Sequence, residues 1–443
     1  MKRALALLAL LAGWLLFSAT PASAHVEIIS STPGDGARLS AAPSLVSVTL
    51  SENVGIQPGS IKVVDLGGRQ VDTGPVFQPG EAAEQVAVRL QAGLPDGSYL
   101  VEYAFVSADS HPVRGTVAFV VGTGPLVTSA GAVSAATGTD AAVGALSTTV
   151  RWLAYLGVVL LGGLAFVVLC RPAARTDPRA RRLLSWGAGL VAVTTVAAFV
   201  LQGPYAAGRN LEAVFDTGLL ADTWRVAYGK LLLLRLAAVA ALAVLVPGLL
   251  RPALPDRLRS RYENLAMVSG FVVLLTFSAT GHPVTDPIMF VSVTADLVHF
   301  GAIALWAGGL TQLALALFRP AADEDLAPVA ARFSGLAAGS VGAIALSGAV
   351  LALRIMPSLR TLWTTGFGLL VLLKIAGFAV LLAVASRSRR AVHRSLTGTA
   401  EKGATKTVAA SLHRLRLAVA VEVVLSVGVL ALAALLTVTP PGG

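Results

Sequence analysis

Residues 146–169 read LSTTVRWLAYLGVVLLGGLAFVVL, twenty-four positions with one charge, Arg151. At 1.5 Å per helical residue such a run covers about 36 Å, more than the ~30 Å hydrocarbon core of a bilayer. Seven further apolar runs follow, at 183–201, 228–250, 265–280, 290–318, 333–353, 366–385 and 412–438. The fourth is the shortest. Only helices and closed barrels satisfy their backbone groups in lipid, and runs of this length favour helices. The expectation for 146–443 is therefore an all-α membrane bundle of eight transmembrane helices. Composition agrees: 55% of residues are hydrophobic and 13% charged, with a mean hydropathy of +0.75. That is too apolar for an ordinary soluble domain.

The chain changes character on the N-terminal side of this run. Residues 123–145 are mostly Gly, Ala, Ser and Thr and read as a flexible linker. Residues 26–122 alternate apolar and polar positions between turn formers such as Pro33-Gly34-Asp35-Gly36 and Pro95-Asp96-Gly97. Strands are predicted at 26–30, 45–52, 60–65, 85–90, 99–106 and 116–121, which makes 25–122 a small all-β sandwich or barrel. Residues 1–24 carry Lys2 and Arg3, an apolar run, and Ala22-Ser23-Ala24. This is a signal peptide with its processing site.

Cleavage after Ala24 makes His25 the mature N-terminus. Its α-amine and ring Nδ1 can chelate one metal ion. Ser107-Ala108-Asp109-Ser110-His111-Pro112 follows the strand at 99–106. Asp109 and His111 are two residues apart, so in extended chain they share a face. With His25 they supply three nitrogens and one oxygen, a set that suits tetragonal Cu(II). These are the two histidines of residues 25–124, a region with no Met and no Cys. It therefore lacks the soft ligands that Cu(I) prefers. The one cysteine, Cys170, permits neither an internal disulfide nor a Cys-x-x-Cys site.

The overall charge of +10 divides unevenly. Residues 25–124 carry ten acidic and five basic side chains, whereas 125–443 carry fourteen acidic and 27 basic ones. An acidic exported domain on a basic membrane region argues against nucleic acid as a partner. The basic residues collect after the first, third and seventh apolar runs, including Arg171, Arg181, Arg257, Arg261, Arg389 and Arg390. By the positive-inside rule these loops are cytoplasmic. Both ends of the mature chain then lie outside a multi-pass protein of the cytoplasmic membrane.

Within the bundle, chemistry concentrates at Gly281-His282-Pro283-Val284-Thr285-Asp286-Pro287-Ile288-Met289 and Thr294-Ala295-Asp296-Leu297-Val298-His299. Asp296 and His299 are i, i+3 and share a helix face. Ionisable groups in a span are costly and mark pathways or buried pairs. His282, Asp286, Met289, Asp296 and His299 are the candidate copper pathway at the outer mouth. Lys230, Arg235, Lys374 and Glu422 read instead as pairing or snorkelling groups. His393 and His413 read as cytoplasmic loop or interface residues. Gly308-Gly309 after Trp306 suggests close helix packing. No P-loop is present, so ATP coupling within this chain is not expected.

Three sets of residues carry a family resemblance. The start at His25 and the run Val106-Ser107-Ala108-Asp109-Ser110-His111-Pro112-Val113-Arg114-Gly115 resemble the periplasmic copper protein CopC. Asp296-Leu297-Val298-His299, running on to Ala304-Leu305-Trp306-Ala307-Gly308-Gly309-Leu310, resembles the membrane protein CopD. The order of parts is similar to fused CopC–CopD proteins of the YcnJ type. The resemblance implies a Greek-key sandwich, His25, Asp109 and His111 as Cu(II) ligands, and copper uptake across the membrane. Copper and the lipid bilayer are the implied partners, with copper chaperones as further candidates, and no enzymatic activity is expected. The readings set beside it are a copper sensor or scaffold that transports nothing, a haem-bearing electron carrier, and an oxygenase built on the histidine chelate.

Overall fold

The computed structural model describes residues 28–50, 60–79, 84–106, 112–125, 140–252, 254–281, 283, 288–318, 326–356, 358, 360–397, 405–437 and 439. His25, Asp109, His111, His282 and Asp286 lie outside these residues.

Eight strands form the N-terminal domain: β1 Ile28–Thr32, β2 Ala37–Leu39, β3 Leu45–Leu50, β4 Ile61–Asp65, β5 Asp72–Phe77, β6 Gln85–Leu90, β7 Gly97–Val106 and β8 Pro112–Val121. They make two four-stranded sheets, ordered β1-β3-β6-β5 and β2-β8-β7-β4. Period-two alternation turns one face of each sheet inward. Val46, Val48 and Leu50 of β3 and Val86 and Val88 of β6 meet Ile61 and Val63 of β4, Tyr99, Val101 and Phe105 of β7, and Phe119 of β8 in one buried core. Each such side chain stabilises the domain by about 1.5–3 kcal/mol relative to exposure.

Two strands escape the alternation pattern. β5 contains Gly74-Pro75 and sits at a sheet edge, where a missing N–H breaks no ladder. β2 has three residues and pairs parallel with β8. The β7–β8 ladder is also longer than predicted. It runs in unbroken register from Gly97↔Val121 to Val106↔Pro112.

The connections fix which ends of the sandwich coincide. Residues 33–36 carry β1 into β2, with Gly36 N–H donating to Ala118 O and Ala118 N–H donating to the Asp35 carboxylate. Residues 91–96 carry β6 into β7, and the Tyr99 hydroxyl donates to Pro95 O. The Ala104 N–H donates to Ser60 O at the start of β4. With Ile28 opposite Leu50 and Thr49 opposite Gln85, the entry of the chain at Ile28 lies at the end of the sandwich where Val106 pairs with Pro112.

The helices are α1 Ala141–Ala165, α2 Pro178–Ala207, α3 Thr217–Arg225, α4 Ala227–Leu249, α5 Asp256–Ser278, α6 Met289–Phe318, α7 Ala327–Ile355, α8 Thr361–Thr364, α9 Gly366–Thr397 and α10 Thr405–Leu436. A π-helical turn, Phe166–Cys170, extends α1. The last five residues of the predicted linker are helical. Asp140 caps α1 by accepting from Ala142 N and Val143 N, so the helix starts at Ala141 and not at 146. Among the described residues, seven helices are long and apolar enough to cross a membrane: α1 with its extension, α2, α4, α6, α7, α9 and α10. The predicted fourth span falls on α5, which is not among them. Asp256, Arg257, Arg259, Arg261 and Glu263 occupy its first third, leaving a short apolar stretch.

Helices in lipid gain little from burying one apolar face against another and rely on close contact. A Cβ added at Gly308 of α6 would stand 2.2 Å from Val159 O of α1, and one at Gly162 would stand 2.2 Å from Ala304 O. These glycines let α1 and α6 touch backbone to backbone, in line with the reading of Gly308. α6 is the central helix, with 67% of its apolar window buried.

Candidate functional site

The flanks of the β-domain site are set by the fold. The β7–β8 pairing closes at Val106↔Pro112, leaving five residues, 107–111, to join the strands. Asp109 and His111 belong to those five. His25 precedes Ile28 by three residues in sequence, and Ile28 lies at the same end of the sandwich. Beneath this end the Phe105 side chain is fully buried, and its ring stacks on Tyr103 at 5.9 Å.

In the bundle, a cavity of about 560 Å³ opens between the helices. Its walls come from the halves of α1, α2, α4, α6, α7, α9 and α10 nearest the end where α1 begins, the linker end. Asp296 and His299 both line it, as one face of α6 requires. His299 lies ten residues along α6 from Met289, about 15 Å along the helix axis. It is 9% exposed. Its Nδ1 is 3.1 Å from Ile344 O and 3.1 Å from Ser347 Oγ, both on α7. The Ser347 hydroxyl itself donates to Ala343 O. A carbonyl can only accept, so the proton sits on Nδ1. The lone pair is then on Nε2. This is how metal-binding histidines are oriented, with the far nitrogen tied to a carbonyl. Gly348 makes room for the ring, since a Cβ there would lie 3.1 Å from Cε1.

Lys374 of α9 also lines the cavity and is the charged neighbour of Asp296. The sequence suggested that Lys230, Arg235, Lys374 and Glu422 pair with one another or snorkel, and among the described residues no ion pair joins them. Arg235 of α4 is held differently. Its Nε donates to Thr276 Oγ1 and its Nη2 to Thr276 O, both at 3.0 Å, and its guanidinium lies 3.5 Å from the centre of the Phe277 ring. Lys230 is exposed. Glu422 is buried at 3% exposure.

Met289 does not join Asp296 and His299. It packs in an apolar cluster with Leu275 and Val293. Met356 at the end of α7 is the methionine that lines the cavity. Ser347 as the neighbour of His299, and Met356 as a residue of the same cavity, were not recognisable, because they lie 48 and 57 residues away with no periodicity linking them. Among the described residues no three His, Cys, Asp or Glu side chains gather closely enough to hold a metal ion.

Comparison with known proteins finds separate matches for the strands and for the helices. The family model for the CopC domain matches residues 28–122. That for the copper resistance protein D-like N-terminal domain matches 139–287, and that for copper resistance protein D matches 327–436. Copper transport protein CutJ of Bacillus subtilis (strain 168) is 27% identical over 392 residues, covering 87% of this chain and 70% of that protein. Copper resistance protein D of Pseudomonas syringae pv. tomato is 32% identical over 275 residues, covering 56% of this chain and 85% of that protein. Copper resistance protein C of the same organism is 32% identical over 117 residues, covering 25% of this chain and 91% of that protein. A β domain of one copper resistance protein thus precedes the helices of another in a single polypeptide, and the chain belongs to the CopC–CopD copper resistance family as a fused CopC–CopD protein.

Proposed function

We propose that this protein captures Cu(II) outside the cytoplasmic membrane and passes copper inward through the bundle. Capture rests on the α-amine and imidazole of His25 with Asp109 and His111. The observation that carries this reading is the coincidence of Ile28 and the Val106↔Pro112 pair at one end of the sandwich. That end gathers the flanks of all three ligands, although His25 and His111 are 86 positions apart in sequence. The copper-named relatives of both halves support the choice of metal. Residues 1–24 serve as signal peptide, 25–122 as the Greek-key copper domain, and the residues ending at Asp140 as the tether.

In the bundle, His299 Nε2 and the Asp296 carboxylate are the stations for copper in the outer cavity, with His282 and Asp286 at its mouth. The bundle crosses the membrane eight times, with α5 as the short crossing and both mature termini outside. The protein acts as a carrier of copper and not as an enzyme, with copper chaperones as exchange partners.

The experiment is a Cu(II) titration of the 25–124 domain beginning at His25, against one beginning with an added glycine. The chelate needs the free α-amine, which titrates near roughly 8 and must lose its proton to bind. One Cu(II) is expected for the native start. Affinity should weaken in acid, and most of it should vanish with the extra residue. Equal binding by both forms removes the chelate from the mechanism.

A further inference from the structure

The charges around the bundle cavity do not balance. Arg151, Arg235 and Lys374 line it, and Asp296 is the one carboxylate among its described lining residues. Asp296 has Lys374 as its charged neighbour. Arg151 of α1 and Arg235 of α4 line the same cavity, as do Tyr155 and Tyr228. Neither arginine makes an ion pair among the described residues. Arg235 spends Nε and Nη2 on Thr276, and its Nη1 has no protein acceptor among the described residues. Among the described residues, the acceptor for Arg151 is Thr437 O, at 3.4 Å from Nη1.

Two guanidinium groups on the walls of one cavity within the bundle, with no ion pair of their own among the described residues, favour an anion in that cavity. Guanidinium is weakly hydrated and presents several donors, which suits anion capture at low cost in desolvation. A bare copper ion entering this cavity adds to a positive excess. One entering with an anion reduces it.

We propose that Arg151 and Arg235, with Tyr155 and Tyr228, form a binding site for a small monovalent anion that enters the cavity with copper. The anion site stands on these residues alone. Its coupling to copper rests on the transport reading above. The metal is then held at Asp296 and His299 on one wall while the anion is held by the arginine pair on another. No bond is broken, since the two ions enter as partners or as a complex.

The test uses the full chain in lipid nanodiscs, with radioactive chloride as probe. Arg151→Gln is the variant of choice, because Arg235 is buried and bonded to Thr276 and its loss endangers folding. Wild type should bind chloride saturably, at one site per chain. Arg151→Gln, with an unchanged melting curve, should bind about tenfold more weakly, the loss of one charge-assisted hydrogen bond. Unlabelled acetate competing better than chloride assigns the same site to a carboxylate anion. In cells, replacing chloride by gluconate should lower copper accumulation for wild type and leave the lower level of Arg151→Gln unchanged. Absence of saturable binding to wild type, or equal binding by Arg151→Gln, overturns the anion site. Chloride binding as expected, with no protein-dependent copper accumulation in either medium, overturns the transport reading and leaves the anion site standing.

Discussion

At the scale of single residues, His299 is the side chain whose surroundings say most. Ile344 O and Ser347 Oγ hold Nδ1, and the ring reaches a cavity wall shared with Asp296. His299→Ala is expected to insert and melt like wild type, because the ring borders an existing cavity and not a filled core. Copper accumulation should fall by more than about 10-fold, since even the outer partners of a metal ligand cost roughly 10–100-fold when removed. Ser347→Ala should cost far less, since Ile344 O still fixes the tautomer. Isotope-resolved copper counts in cells carrying each variant decide this. Wild-type accumulation by His299→Ala makes the histidine a packing residue.

At the scale of elements, the contact between α1 and α6 organises the bundle. Gly308 has Val159 O where a Cβ would go, while Gly189 of α2 has open space. Gly308→Ala should therefore destabilise the protein by about 1–3 kcal/mol, the usual penalty for forcing atoms into packed space. Gly189→Ala should be neutral or stabilise by up to about 1 kcal/mol through helix propensity. Thermal unfolding of both in the same detergent gives the comparison. A Gly308→Ala protein that melts with wild type means that the two helices can separate at no cost. In the β domain the ladder from Gly97 to Val121 plays the organising part, because it closes the 107–111 segment between paired residues.

At the scale of the whole molecule, the open question is the number of crossings. Seven helices qualify by length and composition, and α5 has its charges at one end. With α5 crossing, the end of α10 lies on the same side as the β domain. Were it lodged on one face, the two would lie on opposite sides. A reporter active only outside the cytoplasm, fused after Gly443, is expected to be active. An inactive reporter there, with an active one at the N-terminal domain, reduces the crossings to seven. The arginines at the start of α5 already match the basic loops expected on the cytoplasmic side.

What the sequence determined by itself was whatever local pattern encodes. Alternation marked β3, β4, β6 and β7, and apolar runs marked the spans, because burial on one face or all round leaves a period or a length in the chain. The pair Asp296 and His299 was legible for the same reason, being one helical turn apart. Edge strands β2 and β5 were not, since a short or proline-bearing strand loses its alternation. Tertiary structure alone decided that Ser347 holds His299, that Met289 packs away from the cavity while Met356 lines it, and that Arg151 and Arg235 line one cavity. Those neighbours sit on separate helices, and the distance between them is fixed by how closely backbones such as those at Gly162 and Gly308 can approach.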